Sequence, residues 1–226
     1  MNFVRTVWLV TRKDLLIEAR SKEILFTTLF FAISCVLVFA FGFVREGRAL
    51  EDAAAAILWI AIAFSGTLAL GRAFERERQS ETLRALMIAP MPRPALYLGK
   101  LLGVVLLLAA VEVVIVPLVS LMFEAPLFEH GWLTLGLLAT GTIGFAAVGT
   151  LFAAMLVRAR SRDVLLPVLL YPITIPVIIA GVRGTAALLQ ADVDVSMARL
   201  WLSMLVFFDA VFVTLALWTF EPVMTE

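Results

Sequence analysis

Residues 75–100 read ERERQSETLRALMIAPMPRPALYLGK, and almost continuous apolar sequence bounds them on both sides. The stretch begins densely charged, turns amphipathic, and then carries Pro90, Pro92 and Pro94 in close succession. Leu83, Leu86, Met87 and Pro90 recur at i, i+3, i+4 and i+7, which puts three large apolar side chains on one stripe of a helix. Glu81 suits the positive end of the helix dipole, and Pro90 stops the helix. The spacing therefore predicts a short helix held by a stiff PMPRP connector. Its stripe could lie flat on a membrane or seat in a groove of a partner protein.

Outward from this stretch the chain is too apolar for a water-soluble domain. Of 226 residues, 62% are hydrophobic and only 16% charged, where a soluble domain has about a quarter charged. Six apolar segments approach or exceed the roughly 18 to 20 residues that span a bilayer as a helix: 24–44, 53–70, 95–122, 133–157, 164–182 and 200–220. The expected fold is all-α, a single polytopic permease domain over 1–226 with six transmembrane helices. The fifth segment, VLLPVLLYPITIPVIIAGV, holds Pro167, Pro172 and Pro176. Each proline removes an amide donor and crowds the preceding turn, so this span is expected to kink or break. Residues 184–189 are then expected to form a separate short helix at the interface.

Fourteen of the eighteen Lys and Arg fall in the N-terminal segment, the second loop and the fourth loop. The positive-inside rule makes these regions and both termini cytoplasmic, so the segment 71–94 faces the cytoplasm. Residues 1–23 carry Phe3, Val4, Val7, Trp8 and Leu15 on one side of a helical projection and Arg5, Arg12, Lys13 and Arg20 on the other. Leu9, Asp14 and Leu16 break the pattern. An amphipathic interface helix fits, as does a polar extension of the first span. Charges of both signs and the lack of a small-residue cleavage site argue against a signal peptide.

Several function classes are excluded. The net charge of zero offers no basic field for nucleic acid. There is no GxxxxGK[ST] loop to cradle phosphates. One histidine and one cysteine, Cys35, make no catalytic constellation, disulfide or zinc set. The chain is expected not to be catalytic alone, and to hold no metal.

The segment ETLRALMIAPMPRPALYLGK resembles the loop between the second and third spans of ABC-2-type exporter subunits. More closely, the six spans, RDVLLPVLLYPITIPVIIAGV and the tail FFDAVFVTLALWTFEPVMTE resemble the haem exporter B subunits of cytochrome c maturation. The resemblance covers nearly the whole chain. It implies that Glu81, Leu83, Leu86, Met87 and Pro90 form a coupling helix seated in a cytoplasmic ABC ATPase, which carries the ATP. It further implies a second copy of the chain, a haem-handling membrane subunit and a small single-span subunit. Haem would be the handled ligand, delivered to the periplasmic side of the bacterial inner membrane. The alternatives are an ABC-2 permease for another amphiphile, such as a lipid, glycan or drug, and a non-transporting membrane scaffold.

Three further residues are candidates. Glu112, in LAAVEVVIVPL, and Asp209, in LVFFDAVFV, are ionisable groups in mid-span, at a cost of roughly 2.5 to 3.5 kcal/mol unless partnered or hydrated. Each lines a pathway or pairs with another helix, and neither should face lipid. His130, in FEAPLFEHGW, is chemically competent as an axial haem ligand, although a solvated loop histidine is the plainer reading. The tryptophans read as interfacial anchors. Thr140 with Gly144, and Gly149 with Ala153, form small-xxx-small pairs that let helices approach closely, within the bundle or between two copies.

Overall fold

The computed structural model describes residues 2–42, 44–45, 48–49, 53–75, 92–157 and 159–225. Among them are seven helices: α1 (Phe3–Ser21), α2 (Glu23–Gly42), α3 (Ala54–Arg72), α4 (Arg93–Met122), α5 (Gly131–Met155), α6 (Arg162–Leu189) and α7 (Val195–Thr225). A two-residue antiparallel ladder, β1 (Val44–Arg45) with β2 (Arg48–Ala49), joins α2 to α3. Helices α2 to α7 are each long and apolar enough to cross a bilayer. The predicted six-span, all-α architecture is what the chain adopts.

Local chemistry sets the corners. Lys22 takes a left-handed conformation (φ 55°) and its N–H closes on the Glu18 carbonyl, which ends α1. The Glu18 carboxylate then accepts the Leu25 N–H at 2.9 Å and caps the start of α2. Pro94 stands in the first turn of α4, where its missing donor is harmless. Ahead of α7, Asp194 accepts the Ser196 hydroxyl at 2.5 Å and the Met197 N–H at 2.9 Å. These bonds, the serine's foremost, hold its carboxyl below the usual carboxylate range. The cap is therefore complete above its ordinary pKa and is lost as pH falls through the lowered value.

Helix α5 is the centre. It packs against α3, α4, α6 and α7, and it is the most enclosed of the six spans, while α7 is the least. The small pairs read from the sequence pack within the bundle: Gly144 faces Phe208 and Asp209 of α7, and Gly149 faces Leu70 of α3. Trp59 of α3 is not an interfacial anchor. It is 2% exposed, its indole lies between Gly141 of α5 and Gly181 of α6, and its N–H donates to the Thr185 hydroxyl at 3.0 Å. Trp132 and Trp218, by contrast, are largely exposed.

The break expected in the fifth span, and the separate short helix expected over 184–189, do not occur. Helix α6 runs from Arg162 to Leu189 without interruption through Pro167, Pro172 and Pro176. Residues 184–189 belong to the same helix, and Leu188 is buried. Each proline removes one donor, whereas a break in hydrocarbon would strand several donors and acceptors together, at several kcal/mol each. Packing on α3, α5 and α7 holds the intact helix.

Helix α1 also binds the bundle by an unexpected face. Thr6, Val10 and Thr11 are buried against α4, while Phe3, Val4 and Trp8 remain exposed. Val10 sits on Gly99, where an added methyl would come within 2.6 Å of its Cβ, and the Thr11 hydroxyl donates to the Gly99 carbonyl at 3.0 Å. The apolar face is left for lipid.

Candidate functional site

Two polar regions stand out against this background. The first is a basic rim where α1, the end of α3 and the start of α4 meet. Lys100, only 3% exposed, meets Asp14 of α1 at 3.0 Å and donates to the Ala73 carbonyl at 2.9 Å. Its ammonium lies 5.1 Å from the centre of the buried Phe74 ring. One lysine of α4 thereby ties together α1 and the residues that follow α3. Lys13 reaches the other oxygen of Asp14 at 3.0 Å. Arg72 pairs with Glu23 at 2.8 Å, and Arg93 with Glu221 at 3.6 Å. These exposed pairs are worth little individually, but removing Asp14 would take a carboxylate partner from the buried Lys100 ammonium.

Glu81, Leu83, Leu86, Met87 and Pro90 lie outside the described residues. Their frame is described: Arg72, Ala73 and Phe74 on one side, Pro92, Arg93 and Lys100 on the other. Asp14 looked like an error in the amphipathic pattern of α1, and Lys100 like one charge among several. A carboxylate out of register on one helix is the signal that could have found the pair.

The second region flanks α5 in mid-span. Glu112 of α4 is 9% exposed and accepts a hydrogen bond from the Thr142 hydroxyl. Asp209 of α7 turns one buried carboxylate oxygen toward Gly144, with no hydrogen-bond partner for that atom. A methyl on Gly144 would lie 2.5 Å from it. Thr142 and Gly144 are two residues apart on α5, so the carboxylates approach opposite flanks of that helix at nearly one depth. Both face protein, and they do not meet.

His130 is the N-cap residue of α5, its carbonyl accepting the N–H groups of Leu133 and Thr134. Its Nδ1 is buried without a partner. Neither carboxylate region includes it, and no group of three metal-ligating side chains occurs among the described residues.

Six long apolar helices, a basic rim and carboxylates turned inward define a polytopic membrane protein of permease type. The chain belongs to the CcmB protein family, whose model matches residues 5–224. It is similar to Heme exporter protein B of Rhodobacter capsulatus, 33% identical over 177 residues covering 74% of this chain and 78% of that one. It is similar also to Heme exporter protein B of Pseudomonas aeruginosa, 29% identical over 87% of both chains. The Escherichia coli K12 protein of the same name is 30% identical over 83% of this chain and 85% of its own.

Proposed function

We propose that this chain is the membrane-spanning permease subunit of an ABC exporter that delivers haem across the bacterial inner membrane for c-type cytochrome assembly. The observation that carries this reading is the family match over residues 5–224, which takes in every span and the segment 76–91. Haem enters as the cargo named for the relatives. ATP hydrolysis belongs to a separate cytoplasmic ATPase, in whose groove the stripe of Leu83, Leu86 and Met87 sits. Lys100 and Asp14 would pass the displacement of that segment to α1 and α4. A second copy, a haem-handling membrane subunit and a small single-span protein complete the assembly.

The test is purification from the native membrane in mild detergent. An ATPase should accompany the chain, and its hydrolysis rate should rise with haem. Recovery without an ATPase would favour a scaffold, and stimulation by another amphiphile but not by haem would replace the cargo.

In this reading the basic rim and both termini face the cytoplasm. In a Cys35→Ser background, an impermeant thiol reagent added from outside should label Phe128→Cys and Asp192→Cys, both at exposed positions. It should leave Ser80→Cys and Arg160→Cys unlabelled. The reverse pattern would invert the topology.

A further inference from the structure

We propose that the open edge shared by α5 and α7 docks a membrane-spanning helix of another subunit, one that carries a lysine or arginine at the depth of Asp209. Asp209 stands about 21 Å from the first residue of α7 and about 24 Å from the last, at 1.5 Å per residue. One of its carboxylate oxygens is buried against Gly144 without a hydrogen-bond partner. The residue as a whole is only half-buried, on the least enclosed span of the bundle. Among the described residues no ion pair reaches it. A carboxylate so placed in hydrocarbon calls for a partner from outside the bundle.

Helix geometry locates that partner. Thr142 turns to Glu112 of α4, and Gly144 turns to α7. At about 100° per residue Ile143 points between the two, with Ala139 and Leu135 above it on the same side. Ile143 is half-buried, and the other two are exposed. On α7, Val206, Asp209 and Val213 follow the alternating three- and four-residue spacing of a helix-packing seam. The opposite edge of α7 turns to α6, where Phe208 and Phe212 share a wall with Pro176 and Val177. The Asp209 edge therefore borders the open side of α5, and the small Ala139 lets another backbone come close.

Charge names the occupant. In hydrocarbon a cation at matching depth satisfies an acid, which a lipid tail cannot do. A second copy of this chain has no such cation to offer. Its Lys and Arg lie toward span ends or in connections, and Lys100 and Arg183, which reach furthest in, stay within about two turns of their helix ends. The partner is a different chain. This assigns a face and a chemistry to one neighbouring subunit beyond the proposed function. It rests on the membrane placement of the bundle alone, so it can fail while haem export stands.

The experiment uses the full chain in phosphatidylcholine vesicles, labelled with a donor dye at Phe128→Cys in a Cys35→Ser background. The probes are acceptor-labelled polyleucine helices of about 20 residues whose central residue is Lys, Leu or Glu. By energy transfer the Lys helix should associate about tenfold more tightly than the Leu helix, and the Glu helix should gain nothing. Asp209→Asn should abolish the preference for Lys, whereas Glu112→Gln should keep it. Ala139→Trp, at an exposed position with Asp209 intact, should block the Lys helix. Equal association of the Lys and Leu helices, equal gain from Lys and Glu, or a Lys preference that survives Asp209→Asn or is lost in Glu112→Gln would each overturn the proposal. So would association between two labelled copies of the chain that Asp209→Asn abolishes, which would make the face a self-contact. Should Asp209→Asn fail to accumulate, a Lys preference unchanged in Ala139→Trp overturns it alone.

Discussion

Gly181→Ala is expected to lower the melting temperature of the purified protein by many degrees, and Gly181→Val to prevent its accumulation. A methyl at Gly181 would lie 2.5 Å from Trp59 Cζ2, well inside contact distance. The indole has nowhere to go, because Gly141 closes its other side and a methyl there would likewise stand 2.5 Å from Cζ3. Overpacking of this kind costs about 1 to 3 kcal/mol. Displacing the ring also breaks its bond to Thr185, worth roughly 1 kcal/mol more. Against a typical stability of about 5 to 15 kcal/mol this is a large fraction. Gly71→Ala is the control, since nothing lies within 4 Å of a methyl there. The double variant Trp59→Leu/Gly181→Ala should lose less than the sum of its single changes, because the smaller side chain vacates the space. Simple additivity in thermal melts would show that the ring and the glycine are not in conflict.

If the proposed coupling role holds, Leu86→Asp should separate the permease from an ATPase partner without unfolding it. The stripe of Leu83, Leu86 and Met87 falls outside the six apolar segments of the sequence, so insertion is expected to proceed normally. A charge placed in a helix-in-groove contact removes an anchor worth about 2 kcal/mol or more, a loss of affinity of roughly thirty-fold. ATPase association and haem delivery should therefore fail together. If the segment instead lies flat on the membrane, the ATPase stays bound. A pull-down of the ATPase with the Leu86→Asp protein decides between them, and normal recovery would mean that this helix is not the coupling element.

The spans were legible because each is a long apolar run, and hydropathy needs no knowledge of neighbours. What hydropathy could not see is which face of each helix meets which partner. Trp59 sits near the start of its span, as an interfacial anchor would, and only the glycines of two distant helices show that it is a core residue. The break expected at the prolines of α6 is absent for a related reason. Their local cost is real, but the sequence does not display the hydrocarbon and the three packed helices that make a break costlier still. Asp14 looked out of place until Lys100, far along the chain, supplied its partner. Glu112 and Asp209 were legible as exceptions, whereas Thr142 was not, and Gly144 was legible only as a close-packing position and not as the place that receives Asp209.

The placement of those two carboxylates has a consequence for how the protein is made. Synthesis runs from the N-terminus, and spans enter the membrane in that order. Glu112 arrives on α4 before the hydroxyl of Thr142 exists on α5, so its carboxyl is made without that partner. Asp209 arrives last, on α7, when the Gly144 notch is already built. One acid is thus a debt held open until the next span emerges, and the other closes the bundle as its final wedge.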